Sequence, residues 1–309
     1  MLRAISLLLP VLTLIGADAR AQTNAPEAEE VVVTAIRTGA PVWRVRSSTG
    51  TLVLVGAIND VAAGTDWRPA ALAETVGQAD RVMFPQMVGV SLSPFSMIGY
   101  LAKWKRRARL PQGQSLSGMI GRADSERLRR LAAQGLVPAD FERWHPLHLS
   151  FNMQDRLRKR TGLMEDPNTT VSRAASKFKV ARVPIGRTAA RPLADTLFRS
   201  QPADHLPCLR ATIAATESGP EGLRARSRDW AGKRVQAALA APSQQLSGSC
   251  WPTNTASVDL PYLAGTARRT LAQQGTTLAV VNLDMLARSG GLLDTLRAGG
   301  LQVDGPAWR

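Results

Sequence analysis

The chain has 309 residues and a formal net charge of +15; hydrophobic residues make up 44% of it and charged residues 20%. This composition is ordinary for a globular protein and excludes extensive disorder. The length allows one large domain or two small ones, and the strongly basic balance favours polyanionic partners.

The first 21 residues have the pattern of a secretory signal peptide. Arg3 gives a positive start, residues 4–16 are mostly apolar, and Ala19-Arg20-Ala21 matches a small-residue cleavage pattern. The apolar run is too short to span a bilayer core, and the alternative is a buried N-terminal helix. We expect cleavage near Ala21, a periplasmic or secreted mature chain, and no transmembrane segment.

Residues 22–40 are predicted to form a flexible lead-in. Gln22 to Glu30 is polar and alanine-rich, and the β-branched run Val31–Thr34 follows it. Such a run is typical of an edge strand or an extended lead-in. Residues 30–34 also resemble the acidic-then-valine box of TonB-dependent receptors, so one alternative is a TonB-linked adaptor that adds a strand to a partner's sheet.

Residues 41–309 are predicted to form one α/β domain. An alternating strand and a turn lead into the apolar run Leu52–Val55, which is typical of a strand buried on both faces. Further short strands are expected at Arg81–Phe84, Thr277–Val281 and Leu301–Val303. The order of elements predicts a central mixed sheet built from N- and C-terminal strands, with a helical insertion in the middle.

Helices are predicted between these strands. Pro69 suits the first turn of one helix, and residues 91–160 have a helical style throughout. Residues 165–205 are basic, rich in small residues and without strong periodicity. Amphipathic spacing predicts a helix over Glu221–Ala240, and a glycine precedes another at Leu292–Ala298.

Two cysteines, Cys208 and Cys250, are the only ones in the chain. An exported protein meets an oxidising environment, so a disulfide between them is the economical prediction. The alternative is two separate buried thiols.

Three stretches resemble the TraB/GumN family: PVWRVRSSTGTLVLVGAIND with WRPAALAETVGQADRV after it, RSRDWAGKRVQAAL, and LAVVNLDMLARSGGLLDTLRAGGLQV. The resemblance covers residues 41–309. It implies the α/β fold shared with Tiki-type metalloproteases, ChaN-like haem-binding lipoproteins and erythromycin esterases. In active Tiki-type members, histidines at two strand ends and an acidic residue help bind a divalent metal that activates water.

The corresponding positions differ in this sequence. Asn59 stands where the first histidine is expected, Pro85 lies where a glutamate usually follows the next strand, and Met285 replaces the second histidine. Amide oxygens and thioethers are weak ligands for a hydrolytic metal. We therefore predict the remnant of a site in a non-catalytic protein without a cofactor; its candidate residues are Gly56, Asn59, Asp60, Arg226, Asp284 and Met285.

One alternative keeps catalysis. Asn59, Asp60 and Asp284 would suit Ca²⁺ or Mg²⁺ if the fold gathers them, giving a divalent-metal-dependent hydrolase or peptidase with a rearranged site. The other interpretation of the aspartates is helix capping or solvation.

The three histidines are His145, His148 and His205. The first two are three residues apart, a spacing that can chelate a metal, but Pro146 lies between them and no third ligand is evident nearby. Structural or surface roles are the prediction.

A cluster of basic residues is the remaining feature of the sequence that indicates a function. Behind a signal peptide, its natural partners are acidic polysaccharide, lipopolysaccharide or a periplasmic protein rather than nucleic acid. A plain solvated helix face is the alternative. The candidate binding residues are Lys103, Trp104, Lys105, Arg106, Arg107 and Arg109.

Overall fold

A computed structural model describes residues 25–88, 94–189, 199–244, 246, 250 and 260–309. Within them the chain builds one six-stranded mixed sheet with helices packed against it. The predicted signal peptide, residues 1–21, lies outside the described residues. The strands are β1 Val42–Arg46, β2 Gly50–Ala57, β3 Arg81–Val88, β4 Ala181–Ala189, β5 Gly275–Asn282 and β6 Val303–Asp304.

The strand order in the sheet is β4-β3-β5-β2-β1-β6. β2, β3, β4 and β5 pair in parallel, and β1 pairs antiparallel with β2 and β6. The predicted α/β fold with a mixed sheet is thus confirmed, and β5, from near the C-terminus, lies between β2 and β3. β4 was not predicted; it comes from residues 165–205, where the sequence shows no strand period.

Helices fill the connections. Those between β3 and β4 confirm the helical middle of the domain. The bounds of all the helices are α1 Ala25–Ile36, α2 Pro69–Gln78, α3 Pro94–Arg106, α4 Leu116–Ala133, α5 Pro146–Thr161, α6 Pro167–Lys177, α7 Leu206–Glu217, α8 Gly219–Ala231, α9 Val235–Ala240, α10 Leu260–Leu271, α11 Leu283–Ala287 and α12 Leu292–Ala298.

The centre of the core is the apolar run of β2. All four residues of Leu52–Val55 are fully buried, because β1 and β5 cover both edges of β2 while helices cover its faces. Beside it, the buried Trp43 of β1 donates a 2.9 Å hydrogen bond from Nε1 to the carbonyl oxygen of Pro306. The C-terminal tail is therefore tied to the first strand.

The lead-in contains a helix, which corrects the expectation of an extended run at Val31–Thr34. α1 packs on α2 and on the sheet, with Val31, Val32 and Ala35 buried in the main core. The β-branched residues suggested a strand, but burying one face of a helix outweighs intrinsic propensity. An edge strand at this segment is therefore wrong.

Two smaller expectations also differ. The single helix expected over Glu221–Ala240 is two helices, because the chain turns between them at Lys233, whose φ is 59°. The last strand lies at Val303–Asp304 instead of Leu301–Val303. Among the described helices, none combines the length and apolar character needed to cross a bilayer.

Candidate functional site

The two strand ends at which the family's histidines are expected lie side by side; we call the end of β2, with Asn59, the first corner and the end of β5, with Met285, the second. β2 and β5 are parallel and in register through Gly56–Val281 and Ala57–Asn282, so their carboxyl ends meet there. Asn59 lies two residues after the end of β2. β3 pairs with β5 as far as Met83–Ala279, and Pro85 continues toward the same end of the sheet.

Three side chains of α8 hold the end of β2 and the loop after it through the backbone. Arg226 donates from Nη2 to the carbonyl oxygens of Asn59 and Asp60, the latter at 2.9 Å. Ser227 Oγ accepts a hydrogen bond from the Ala62 N–H at 3.0 Å. Trp230 Nε1 donates to the Gly56 carbonyl oxygen at 2.7 Å. The RSRDW stretch is therefore a clamp on this loop.

Asp60 occupies the left-handed region of backbone conformation, with φ of 57°. Aspartate tolerates this region better than most residues, at some conformational cost. Its carboxylate lies 2.9 Å from Nε of Arg158, near the end of α5. The Asp60 carboxylate is thus engaged by a cation from a distant helix.

Gly56 serves packing at this corner. A Cβ atom added there would lie 2.7 Å from Leu283 Cδ1 and 3.0 Å from Trp43 Cζ3. Both contacts are closer than ordinary van der Waals distances, so a larger residue would force the first strand and α11 apart.

The second corner is also structural. The Asn282 side chain accepts a 2.9 Å hydrogen bond from the Asp284 N–H and so caps α11. Asp284 lies 3.7 Å from Nη1 of Arg288 one turn later. Met285 is half-buried and packs against the main core. Capping and packing account for these residues.

Among the described residues, metal-ligating groups are sparse around this end of the sheet. In the part of the chain that the structure describes, no three His, Cys, Asp or Glu side chains are grouped so that they could hold a metal ion.

The Arg226 side chain is charged although it is buried. It is 3% exposed. Burial lowers its pKa to about 10, and the nearby Asp60 carboxylate opposes this shift. At neutral pH the guanidinium therefore stays charged.

The three histidines form a separate buried cluster, which the sequence did not predict. The rings of His145 and His148 have centroids 5.7 Å apart, and His205 lies 5.4 Å from His145. His148 packs against Trp104 with centroids 3.9 Å apart, and His205 Nε2 lies 2.6 Å from Ser200 Oγ. The fold therefore brings His205, which is distant in the sequence, beside the pair.

Each of these histidines favours its neutral form. Burial lowers the pKa of His145 to about 3 and that of His148 to about 4. Burial and the Arg107 guanidinium also lower the pKa of His205, against the opposing effect of Asp204. The cluster is a packed, uncharged part of the helical region at neutral pH.

The predicted cysteine pairing is confirmed. The sulfur atoms of Cys208 and Cys250 lie at disulfide distance, 2.11 Å apart. The pair packs with Leu147 of α5, and Trp104 and Phe151 lie against it. The disulfide therefore borders the histidine cluster and joins α7 to the chain beyond α9.

The predicted basic residues lie at the end of α3 and just after it. Lys103, Lys105, Arg106 and Arg109 are exposed, and Trp104 and Arg107 are half-buried. Arg109 forms an ion pair with Asp140 at 2.7 Å and stacks over the Trp144 ring. The exposed cations at the end of α3 are Lys103, Lys105 and Arg106.

Comparison with known proteins agrees with the fold and the motifs. A search of curated proteins and a search of solved structures each find no significant match. The profile of the TraB/PrgY/gumN family matches residues 41–305. The match spans every strand of the sheet and the α8 clamp, so the chain belongs to the TraB/PrgY/gumN family.

Proposed function

We propose that this protein is an exported, non-catalytic member of its family that binds an anionic ligand through the exposed cations at the end of α3. The observation that carries the proposal is the state of the two corners. Arg226 donates to backbone carbonyls, the Asp60 carboxylate pairs with Arg158, and Met285 packs in the core. None of these described contacts prepares a water molecule for attack.

The basic surface supplies a positive role in its place. Lys105 and Arg106 are exposed on the same helix end, and the whole chain carries a net charge of +15. A cluster of cations in such a field raises the local concentration of polyanions and speeds their association. This supports binding of an acidic polymer or surface.

Chromatography on immobilised dextran sulfate tests the binding proposal. The double charge reversal Lys105→Glu with Arg106→Glu should elute at distinctly lower salt than the natural protein. The matched control reverses two exposed lysines elsewhere, Lys177→Glu with Lys233→Glu, and so makes the same change in net charge. Equal shifts for both double variants would show general charge instead of a binding surface.

Metal analysis tests the non-catalytic part. We expect no stoichiometric divalent metal in the purified protein after dialysis without chelator. A tightly held metal, together with peptidase or esterase turnover that is lost in Asn59→Ala, would establish the rearranged hydrolase instead.

The adaptor alternative gains no support from the fold. A TonB-type contact requires an extended segment that adds to a sheet, whereas residues 30–34 lie in α1, with Val31, Val32 and Thr34 buried.

A further inference from the structure

α3 presents a continuous exposed face whose character changes along the helix. At 100° per residue, Ile98, Ala102 and Lys105 fall within a narrow stripe, and Gly99, Lys103 and Arg106 extend it to one side. All six of these residues are exposed. We call them the outward face of α3.

The opposite side of the helix is anchored to the protein. Trp104 lies about 120° or more from every residue of the outward face except Lys103 and Lys105. Its ring packs on His148 and lies 5.8 Å from the Phe151 ring. The contact fixes the rotation of α3, so the outward face points away from the body of the domain.

Ile98 makes this face unusual for a solvated helix. It is 64% exposed, which makes it the most exposed large hydrophobic residue in the part of the chain described. Ile98 and Gly99 precede the cations Lys103, Lys105 and Arg106 by about one to two turns, and Ala102 lies directly before the first of them. A soluble acidic polysaccharide would interact with the cations and leave the isoleucine in water. An anionic lipid surface can bind the cations at its phosphates and also bury the isoleucine among its acyl chains.

From this arrangement we infer that the outward face of α3 docks on an anionic lipid surface. The inference rests on the proposed function, which assigns anion binding to the end of α3, and it identifies the anionic ligand as a lipid. Lys103, Lys105 and Arg106 would contact lipid phosphates, and Ile98 would enter the boundary between headgroups and acyl chains. Each cation near an anionic membrane contributes about a fivefold factor to binding, and one buried isoleucine adds a factor of similar size.

Vesicle co-sedimentation tests the inference with the purified protein. One set of vesicles contains equal parts of phosphatidylglycerol and phosphatidylcholine, and the other contains phosphatidylcholine alone. At an ionic strength of about 0.1 M, we expect binding to the first set only. Lys105→Glu with Arg106→Glu should weaken binding by a factor of at least about 25, because two cations that attract lipid phosphates become anions.

Ile98→Ser is the variant that separates lipid from polymer. It should weaken vesicle binding about fivefold and leave elution from dextran sulfate unchanged. The Lys177→Glu with Lys233→Glu control should retain most vesicle binding, and circular dichroism melts should be the same for all variants, since every substituted residue is exposed.

Each outcome decides between the two proposals. Retention on dextran sulfate without vesicle binding overturns the lipid inference and leaves the proposed function standing. Vesicle binding that Ile98→Ser does not change overturns it too, because attraction would then be purely electrostatic. Failure to bind either material overturns both proposals.

Discussion

Arg226 donates a 2.9 Å hydrogen bond from Nη2 to the carbonyl oxygen of Asp60, a residue whose φ is 57°. The same nitrogen donates to the carbonyl of Asn59, and Nη1 donates to that of Ser243 at 3.2 Å. One buried guanidinium thus satisfies three backbone acceptors and keeps a costly backbone conformation in place. At this corner, the fold depends on a charge that faces the main chain.

Replacing Arg226 should therefore unfold the protein more easily. Arg226→Met leaves the carbonyls of Asn59 and Asp60 without their donor, at a cost of about 2–4 kcal/mol in the free energy of unfolding. Urea denaturation followed by circular dichroism measures the change. Arg224→Met, two residues away on the outer side of α8, should change it by less than about 0.5 kcal/mol. Similar losses in both variants would contradict the clamp.

The histidine cluster predicts a loss of stability in mild acid. The folded-state pKa values of His145 and His148 are about 3 and about 4, below the ordinary 6.5. Between those values the unfolded chain binds protons that the folded chain excludes, so stability is complete above about pH 6.5 and falls as pH drops toward 4. We expect about 2 kcal/mol lost for each of His145 and His148 between about pH 7 and about pH 5.

Urea denaturation at the two pH values measures this loss. His148→Gln should remove the contribution of His148, about 2 kcal/mol, from the stability difference between the neutral and the acidic condition. An unchanged difference would assign the pH dependence to other groups. The variant keeps a polar side chain of moderate size beside Trp104, which limits repacking.

Reducing the disulfide should destabilise the fold. Cys208 and Cys250 are 42 residues apart, and a cross-link that closes such a loop stabilises a protein by up to about 4 kcal/mol in the chain-entropy model. Cys208→Ser with Cys250→Ser should lower the melting temperature, and dithiothreitol should lower that of the natural protein but not of the variant. A reductant effect of equal size in both would contradict the prediction.

α1 should contribute to the stability of the domain through one face only. Val31→Asp places a carboxylate at a position 1% exposed and should cost at least about 3 kcal/mol. Val33→Asp, at a position 42% exposed, should cost less than about 1 kcal/mol. Thermal melts of the two variants compare them directly; equal melting temperatures would mean that α1 is not docked.

Local pattern was enough to predict the elements whose signals are strong and unambiguous. Four consecutive apolar residues, Leu52–Val55, specify a strand buried on both faces, and Gly291 and Gly299 bound α12 where the sequence predicted it. The run Val31–Thr34 was misjudged because β-branched residues favour strands until tertiary burial decides otherwise. β4 stayed hidden because Pro184 and its small or basic neighbours leave no alternating pattern.

In the candidate site too, residues in short motifs were predictable, whereas contacts between distant parts of the chain were not. Motif resemblance pointed to Gly56 and Arg226, since both belong to short contiguous stretches. The ion pair between Asp60 and Arg158, and the position of His205 beside His145, depend on contacts between residues far apart in the sequence. Residue spacing in the sequence does not predict such contacts. Arg158 as the partner of Asp60 and His205 as the neighbour of His145 could therefore be identified only from the structure.

The position of β5 governs when this protein can fold. A chain that is synthesised or translocated from its N-terminus first releases β1 with β2, then β3 with β4, as two ribbons whose inner edges are open. Only the arrival of Gly275–Asn282 joins the ribbons, and the tail then seals onto Trp43. We therefore expect a nascent or truncated chain that ends before β5 to form no smaller version of the fold, and compaction to wait until almost the whole polypeptide has emerged.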